Sequence, residues 1–508
     1  MPHSNTRLAA LTPARLGGIR RGVEKESLRA LPDGQLALTP HPLALGSALT
    51  HPAITTDFSE SQVELVTAAH ARLEDCVDEL VQLHQFVYRT LAEQGKEMLW
   101  VSSMPCDLPA DETIPIGRYG SSHVGRAKSI YRMGLGHRYG RRMQTISGIH
   151  YNWSMPGVSS EDYFGLIRNF RRRAFLLLYL FGASPALSPT FVNGRNHGLQ
   201  KLGPKALYLP HATSLRMGRL GYQSDAQASL AVSYNSLEGY AASLHEALTR
   251  SYPAYAAIGI RNPGGDYSQL SDTLLQIENE FYGTIRPKRT IHTGERPLHA
   301  LRERGVEYVE VRLMDLDPFE TVGIHAQTMR FLDVFLLHCL LADSPVDSPT
   351  EFAEIQYNQH QTASLGRQPG LLLKREGEAV SLQSWGAEIL AQCRPVALAL
   401  DAAHCSQDYS HALDEAVQRL ANPELTPSAR VLAAMKKDHD NSFLSFGLFQ
   451  SAQTQARLMA LPWSLQQQAR FTALSQKSLH DQRAIELADH QSFEDFRQDY
   501  VSAARLSL

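Results

Sequence analysis

The segment "RRGVEKESLR" places two glutamates, Glu24 and Glu26, two positions apart near the start of the chain. On an α-helix their side chains would point about 200° apart, whereas on a β-strand they would share one face. Two like charges side by side repel each other. The spacing therefore predicts either a strand face exposed to solvent or one that holds a cation between the carboxylates.

Three further segments carry acids or a histidine among apolar residues. "ITTDFSESQVELVT" contributes Asp57 and Glu64, "SGIHYNWSM" contributes His150, and "VEYVEVRLM" contributes Glu310 beside Arg312. Ordinary interpretations exist for each: an ion pair or helix-start acid for Glu64, a satisfied core histidine for His150, and a cross-strand pair for Glu310. The recurrence of such segments favours a metal site, although both interpretations stay open for any single residue.

A basic set accompanies the acids, because residues 113–160 contain no aspartate or glutamate. The basic residues of this stretch and of two later segments are Arg118, Arg126, Lys128, Arg132, Arg138, Arg141, Arg142, Arg216, Arg219, Arg286, Lys288 and Arg289. A solvated face would account for any one of them, but arginine also binds carboxylates and phosphates bidentately. Acids for divalent metal beside cations for anions are what phosphoryl transfer to a carboxylate needs.

The segments that carry these residues alternate polar and apolar positions, as strands do. His150 would share a strand face with Asn152, and Glu310 with Arg312. "LQIENEFY" is likewise predicted to be a strand, with one face formed by Gln276, Glu278, Glu280 and Tyr282. A sheet built from these strands would carry more charged side chains on one face than an ordinary solvent-exposed surface does. We therefore predict an α+β fold whose antiparallel sheet has one charged face.

Helical spacing of apolar residues surrounds these strands. It predicts a helix over 68–95 that ends at Gly95, although His84 interrupts its apolar stripe, and another over 161–182. From Leu448 to the C-terminus the chain has no glycine, and it predicts several helices with a boundary at Pro462.

Composition narrows the class of protein. The 508 residues are 43% hydrophobic, enough for a large core, and the net charge of −3 gives no support for binding nucleic acid or a membrane surface. Five scattered cysteines without a CxxC pair argue against a disulfide framework or a zinc site. The N-terminus lacks the apolar core of a signal peptide, and the longest apolar run, 174–187, is too short to span a bilayer. We therefore expect a cytoplasmic protein.

The common catalytic motifs are missing from the sequence. There is no GxxxxGK[ST] loop, no HExxH and no GxSxG, and "GLGHRYG" has the wrong spacing for a dinucleotide fingerprint. If the protein uses ATP, metal ions on carboxylate oxygens would carry much of the phosphate recognition.

Taken in order along the chain, several segments resemble the proteobacterial type of glutamate–cysteine ligase, also called γ-glutamylcysteine synthetase. They include "RGVEKESLR", "HPLALGSALTHPAITTDFSESQVELVT", "RYGRRMQTISGIHYNWS", "YLPHATSLRMGRLGY", "LQIENEFYGTIRPKR" and "GVEYVEVRLMDLDPF". The resemblance covers residues 16–345, a catalytic core. Residues 346–508 resemble the family only in helical character and in "SARVLAAM", and we expect them to pack on the core in one continuous unit.

The resemblance implies a reaction and a fold. Members of this family join the γ-carboxyl of L-glutamate to the amine of L-cysteine with ATP, through γ-glutamyl phosphate, in the first step of glutathione biosynthesis. They use two or three Mg²⁺ ions, for which Mn²⁺ could substitute. Their fold is a curved, largely antiparallel sheet that forms a funnel wrapped by helices, similar to the catalytic domain of glutamine synthetase. A monomer is expected.

The resemblance also assigns residues, position by position. The metal positions are Glu24, Glu26, Asp57, Glu64, His150 and Glu310. Catalytic roles fall to Glu310 and to Arg312, which would contact phosphate. The substrate positions are Phe58, Tyr131, Arg132, Leu135, Gln144, Arg216, Tyr222 and Tyr282. Within "GRAKS", Ala127 and Ser129 depart from the family's pattern.

Three other functions fit parts of the same pattern. A related carboxylate–amine ligase would keep the metal core and change pocket residues such as Tyr222 and Tyr282. A metal-dependent phosphoesterase also combines carboxylates, histidine and arginine. A non-catalytic nucleotide sensor would not need an intact acid at every metal position, which argues against that class.

Overall fold

The computed structural model describes residues 2–221, 225–228, 230–292 and 294–506, and these form twelve strands and seventeen α-helices. The strands are β1 (Arg20–Ala30), β2 (Ile54–Thr56), β3 (Gln62–Val66), β4 (Met98–Leu99), β5 (Ile149–Ser154), β6 (Ala186–Leu187), β7 (Gln200–Gly203), β8 (Ala206–Tyr208), β9 (Ile285–Lys288), β10 (Tyr308–Met314), β11 (Leu372–Arg375) and β12 (Glu378–Ser381).

The helices surround the largest sheet. They are α1 (Pro2–Ala9), α2 (Pro13–Gly17), α3 (Leu73–Gln94), α4 (His123–Tyr139), α5 (Ser160–Phe181), α6 (Asp225–Ala228), α7 (Leu237–Thr249), α8 (Pro253–Ala256), α9 (Pro297–Arg304), α10 (Ala326–Leu341), α11 (Pro349–Leu365), α12 (Leu382–His404), α13 (Asp408–Ala421), α14 (Pro427–Asp438), α15 (Phe443–Ala460), α16 (Leu465–Ala488) and α17 (Phe493–Tyr500).

The largest sheet has the order β2-β3-β1-β5-β10-β9, with β4 paired to the far end of β1. Every pair in it is antiparallel. Two smaller antiparallel sheets, β6-β8-β7 and β11-β12, lie outside it. The predicted α+β class and largely antiparallel sheet are confirmed.

One face of the large sheet is apolar and buried. Its side chains include Val23, Ile149, Tyr151, Trp153, Val309 and Val311. Helices α3 and α5 pack on these strands, and α10 contacts them through Asp333. Because side chains alternate along a strand, burial of the apolar face places Glu24, His150 and Glu310 on the opposite, polar face. A shift of the strand register by one residue would move these side chains to the apolar face.

Buried polar residues on the apolar side of the sheet are paired. Arg21 on β1 lies 2.8 Å from Asp333 on α10, and the Tyr151 hydroxyl donates to the same carboxylate at 2.8 Å. The Lys25 ammonium donates to His84 Nε2 at 2.9 Å, while His84 Nδ1 donates to the Leu80 carbonyl at 2.7 Å. His84, which interrupts the apolar stripe of α3, thus serves as the hydrogen-bond partner of Lys25 on the sheet.

The predicted helices are confirmed with small shifts of their ends. The segment 68–95 contains α3, which Gly95 caps, and 161–182 matches α5, whose start is fixed by a capping box between Ser159 and Asp162. At the C-terminus, Pro462 separates α15 from α16. No helix in the described part of the chain combines the length and the apolar composition that crossing a bilayer requires.

The prediction that "LQIENEFY" forms a strand is wrong. Residues 278–280 form a short 3₁₀ turn, and both of its glutamates are buried. Glu278 accepts hydrogen bonds from Arg296 at 2.7 Å and from the Leu298 backbone at 3.1 Å, whereas Glu280 pairs with Arg138 at 2.9 Å. Each acid has its own partners in a different direction, and these long-range pairs outweigh the period-two pattern of the sequence.

Candidate active site

Strand register brings the acids together on the polar face of the large sheet. Glu24 on β1 is the direct neighbour of His150 on β5, and Glu26 is the direct neighbour of Glu64 on β3. Glu310 on β10 stands opposite Asn152 of β5. Residues that are far apart in sequence therefore project from adjacent strands into one cavity of about 350 Å³.

The first cluster joins Glu24, His150 and Glu310. Glu24 Oε2 lies 2.9 Å from His150 Nδ1, and the Asn152 amide donates to Glu24 Oε1 at 2.9 Å. One potential ligand atom from each of the three residues falls within 4.8 Å of the others. Carboxylate and imidazole groups at this separation suit a divalent cation.

The second cluster joins Glu26, Glu64 and His150, with ligand atoms again within 4.8 Å of one another. The Gly148 backbone N–H donates to Glu26 Oε2 at 2.7 Å, and His150 Nε2 lies 3.6 Å from Glu26 Oε1. Asp57 lines the same cavity beside them. His150 therefore belongs to both clusters, with one ring nitrogen near each.

The carboxylates of the second cluster are buried and repel one another. Burial, together with the charge of Asp57, raises the pKa of Glu26 to about 8. Burial and the charges of Asp57, Glu24 and Glu26 raise the pKa of Glu64 well above its ordinary value. His150 Nε2 is buried without a hydrogen-bond partner among the described residues. These donors fit a hard divalent cation such as Mg²⁺ or Mn²⁺.

Two cations border the first cluster. Lys288 Nζ lies 3.1 Å from Glu310 Oε1, and an Arg312 N–H donates to Glu310 Oε2 at 3.0 Å. Burial opposes ionisation of Glu310, but Lys288 and Arg312 hold the pKa of this carboxyl well below its ordinary value. Burial, followed by the Arg312 charge, lowers the pKa of His150, which keeps the imidazole neutral and able to bind metal.

The basic set divides between the cavity and the scaffold. Lys128, Arg132, Arg286, Lys288 and Arg312 line the cavity. Other arginines are used in the fold, such as Arg138 in its pair with Glu280 and Arg142 in its pair with Asp111 at 3.5 Å. Residues 113–160, which contain no acids, therefore supply only some of the basic residues that line the cavity.

Helix α4 forms one wall of the cavity. Its lining residues recur at helical spacing and are Val124, Ala127, Lys128, Tyr131, Arg132 and Leu135. Of the predicted substrate residues, Phe58, Gln144 and Tyr282 line the cavity as well, and the Gln144 amide donates to the Tyr282 hydroxyl at 2.8 Å.

One predicted substrate residue, Arg216, lies behind the cavity wall, and another, Tyr222, is outside the described residues. Arg216 is not among the described residues that line the cavity: it is buried, 3.7 Å from Asp315, and donates to the Arg312 carbonyl at 2.8 Å. Its guanidinium fills the space where a side chain at Gly148 would project. Tyr222 lies outside the described residues.

Several cavity residues were missed from the sequence. Glu278, Asn279 and Glu295 come from the segment misread as a strand and from the loop before α9. Phe496 and Tyr500 come from the last helix, α17, far beyond the segments that carry the resemblance. The aromatic residues Phe493, Phe496 and Tyr500, spaced as one helix face, were the signal that could have pointed to them.

Buried thiols do not supply a nucleophile to this site. Cys76, Cys106, Cys339 and Cys393 are buried. Burial raises the pKa of the Cys76 thiol to about 11 and that of Cys339 to about 12. Thiols held neutral in this way are poor nucleophiles.

We expect Mg²⁺ affinity to rise with pH. Glu26 is protonated at pH 7 in the metal-free protein, because its pKa lies near 8, and it must lose that proton to bind a cation. Affinity should increase about fivefold to tenfold per unit between pH 6.5 and 8. Titration calorimetry of Mg²⁺ in two buffers of different ionisation enthalpy should detect the released proton. Glu26→Gln should reduce the release without abolishing it, because the pKa of Glu64 in the same cluster is raised as well, and a pH-independent affinity would contradict this interpretation.

Comparison with known proteins gives a consistent result. The family model described as "Glutamate-cysteine ligase" matches residues 8–362. Glutamate–cysteine ligases of Alcanivorax borkumensis (45% identical, covering 98% of this chain and 99% of that protein) and Janthinobacterium sp. (48%, covering 95% and 94%) are similar in sequence. A crystal structure of the Francisella tularensis glutamate–cysteine ligase in complex with AMP matches with a TM-score of 0.91 at 34% identity, covering 96% and 98%. These alignments cover nearly the whole chain, whereas the family model ends at residue 362.

Proposed function

Because the chain belongs to the glutamate–cysteine ligase family, we propose that the cavity on the polar face of the large sheet carries out the family's reaction. The enzyme joins the γ-carboxyl of L-glutamate to the amine of L-cysteine with consumption of ATP, a step of glutathione synthesis. The observation that carries the assignment of the site is the pair of acidic clusters bordered by Lys288 and Arg312 within one cavity.

The acidic clusters are proposed to hold Mg²⁺. Glu24, His150 and Glu310 would form one site, and Glu26 and Glu64, with Asp57 beside them, would form another; the neutral imidazole of His150 has one unprotonated nitrogen and can bind only one of the two cations. When bound, the cations would supply positive charge that offsets the negative charge developing during phosphoryl transfer, in place of the missing phosphate-binding loop.

The cationic side chains are proposed to orient the anions. Glu310 fixes Arg312 and Lys288 at 3.0 and 3.1 Å, so their positions are set before substrate arrives. A donor held in place costs no reorganisation when negative charge moves onto the transferring group. Glu310 therefore serves both as a proposed metal ligand and as the anchor of the two cations.

The amino-acid substrates are proposed to bind beside α4. Aromatic and apolar side chains with a few polar groups suit cysteine, and the proposed contacts are Phe58, Tyr131, Arg132, Leu135, Gln144, Tyr222 and Tyr282, with Arg216 in support. Since Arg216 is buried behind Gly148, its support for the site would pass through Arg312, whose carbonyl it contacts. Cysteine's amine, with an ordinary pKa near ~8, must lose a proton before it attacks.

Activation is proposed to occur on the substrate itself. A carboxylate does not condense with an amine in water because its oxygen is a poor leaving group. Phosphorylation of the γ-carboxylate by ATP gives γ-glutamyl phosphate and ADP. The amine then attacks the acyl carbon and expels inorganic phosphate. The buried, neutral thiols of the chain support this route over a covalent enzyme intermediate.

Oxygen-18 labelling tests this order of events. Glutamate labelled in both γ-carboxyl oxygens should transfer one label atom to inorganic phosphate per turnover, detected by mass spectrometry of the phosphate. The remaining label atom should stay in the γ-amide of the product. Release of AMP and pyrophosphate, or unlabelled phosphate, would replace the acyl phosphate with an acyl-adenylate route.

We further propose how the chain is organised and where it works. Residues 16–345 would form the catalytic core and 346–508 a helical part packed on it. One chain supplies the acids, the cations and α4, which supports activity as a monomer, and light scattering of the active enzyme tests this. A cytoplasmic location would supply ATP, glutamate and reduced cysteine together.

A further inference from the structure

A second cavity, of about 230 Å³, lies between α5, α11, the β11–β12 hairpin and α12, and we call it the hairpin cavity. Among the described residues, none lines both this cavity and the one that holds the acidic clusters. Arg173 of α5, Glu354 of α11, Arg375 of β11 and Trp385 of α12 are part of its lining. Since α5 also packs on β9 and β10, the hairpin cavity lies one helix away from the strands that carry Lys288 and Arg312.

Ion pairs occupy two of the arginines that line the hairpin cavity. Arg172 lies 2.5 Å from Glu351, and Arg375 lies 2.7 Å from Glu388. The Arg375 guanidinium also lies over the Trp385 ring, 5.3 Å from its centroid. These side chains form the walls of the cavity, and their charges are already neutralised.

Three more charged residues of the lining, Asp343, Lys374 and Glu376, are exposed and lie at the rim. Asp343 lies 3.5 Å from Arg7, and the Lys374 ammonium lies over the Tyr357 ring at 4.7 Å. Solvent surrounds these groups and screens them. The charges left inside the cavity are therefore those of Arg173 and Glu354.

Arg173 has no carboxylate partner among the described residues. Its one hydrogen bond there goes to the Asn169 carbonyl of its own helix, at 3.1 Å, although a guanidinium has five N–H donors. None of its nitrogens is sealed off without a partner, so the spare donors can be reached from the cavity. Burial lowers the pKa of Arg173, and the buried thiols Cys339 and Cys393 are among its neighbours, which places its charge at the inner end of the cavity.

Glu354 lies toward the exposed end of the cavity, beside the turn of the β11–β12 hairpin. Its Oε1 accepts the backbone N–H of Gly377 at 2.8 Å, and no cation pairs with it in the described part of the chain. The hairpin itself is held to α11 by Asn358, whose side chain donates to the Lys374 carbonyl at 2.7 Å and accepts from the Lys374 N–H at 2.8 Å. The cavity thus has a fixed cation inside and a fixed carboxylate near its opening.

We propose that the hairpin cavity binds a small zwitterion, an amino acid or a short peptide, with its carboxylate on Arg173 and its ammonium group toward Glu354. A carboxylate can accept two parallel N–H bonds from one guanidinium. A phosphate or a dicarboxylate would also satisfy Arg173, but its second charge would meet the unpaired carboxylate of Glu354. Because the two cavities share no lining residue, this ligand binds at the same time as the substrates of the ligase reaction.

Trp385 provides a local reporter of binding. Protein labelled with 5-fluorotryptophan has one ¹⁹F resonance for each of its four tryptophans, and Trp385→Phe identifies the signal of Trp385. Glycine, glycylglycine and triglycine serve as probes of increasing length. At least one of them should shift the Trp385 signal saturably, with a Kd on the order of 1 mM, and leave the other signals in place.

Substitutions test the two charges separately. Arg173→Met and Glu354→Gln should each weaken binding of that probe about tenfold or more, since each removes a hydrogen bond to a charged group. The glutamine amide oxygen can still accept the Gly377 N–H, so the hairpin keeps its position. Arg394→Met, which removes a cation of α12 outside the hairpin cavity, is the matched control and should not change the affinity.

The N-acetylated form of each probe, which keeps the carboxylate and has no ammonium group, should bind about tenfold more weakly. Equal affinity for the acetylated form would make the ligand a simple anion and overturn the zwitterion assignment. Unchanged affinity in Arg173→Met, or no shift of the Trp385 signal by any probe up to about 20 mM, would also overturn it. Circular dichroism checks folding, and Arg173→Gln repeats the test if the methionine variant unfolds.

Discussion

Replacing Glu26 by glutamine should lower kcat/KM by about a thousandfold and at the same time make the metal-free protein more stable. A bound metal ion contributes several kcal/mol of transition-state stabilisation, which loss of a ligand would remove. Since about 1.4 kcal/mol corresponds to a tenfold change in rate, a loss of about 4 kcal/mol gives the thousandfold decrease. Stability should rise because burial and Asp57 hold the pKa of Glu26 near 8, far above that of an unfolded chain. A raised carboxyl pKa means that the folded protein loses stability as pH rises from about 4.5 to about 8.

The gain for Glu26→Gln should be on the order of 2 kcal/mol at pH 8 and should shrink toward zero near pH 4.5. The amide oxygen of glutamine can still accept the Gly148 N–H bond, so the strand geometry is kept. Urea unfolding in EDTA at several pH values measures the stability, and a coupled ADP assay measures the activity.

Glu97→Gln is the matched control. Glu97 is a buried glutamate paired with Arg29 at 2.5 Å and bonded by the Thr39 hydroxyl at 2.6 Å, away from the cavity. Its substitution should destabilise the fold and leave the catalytic constants of the folded enzyme close to those of the wild type. If Glu26→Gln behaves like Glu97→Gln, then Glu26 is an ordinary structural acid and the metal interpretation of the second cluster fails.

The sequence predicted the sheet well where local pattern and burial agree. Strands β5 and β10 alternate His150 and Glu310 with residues that the structure buries completely, so the pattern decides both strand and face. Helix α3 was predicted because it has an apolar stripe at helical spacing and ends at a glycine, and α5 was predicted from its helical pattern, although the structure buries its C-terminal half on all sides. The resemblance to glutamate–cysteine ligase, and the α+β class that it implies, are confirmed.

The pattern failed where long-range ion pairs decide the backbone. The alternation of Glu278 and Glu280 predicts a strand, but their partners, Arg296 and Arg138, lie in different directions and the chain turns there. Similarly, no local feature tells that Arg138 pairs inside the fold while Arg132 lines the cavity. The partners of these side chains depend on tertiary contacts that cannot be predicted from a single sequence.

The wall formed by α17 shows the same limit for the site. Phe496 and Tyr500 look like ordinary core positions of a C-terminal amphipathic helix. Only the path of the chain from residue 346 onward, which returns this helix to α4 and Arg296, places them in the cavity. A part of the chain expected to pack on the core thereby supplies residues that line the cavity.

Replacing Arg312 by lysine should lower kcat about a hundredfold, and by alanine about a thousandfold, with KM for glutamate and cysteine within about threefold. Removing one preorganised donor from a developing negative charge costs roughly 10²–10³ in kcat. Lysine keeps the charge but loses the planar guanidinium, whose Nη1 lies 3.0 Å from Glu310 Oε2 and 3.4 Å from His150 Nδ1 and whose remaining N–H groups can donate to an anion. Acid-quenched single turnovers should show that the slow step is transfer of phosphate from ATP.

Arg172→Lys provides the comparison, since Arg172 also forms a carboxylate pair, with Glu351 at 2.5 Å, on the opposite side of the sheet. That variant should retain wild-type kcat. If Arg312→Lys instead raises KM for cysteine with kcat unchanged, the guanidinium positions the second substrate and not the phosphate. If Arg312→Ala retains normal single-turnover phosphate transfer, Lys288 alone supplies the charge beside Glu310, because it lies at a comparable distance, 3.1 Å, on the neighbouring strand.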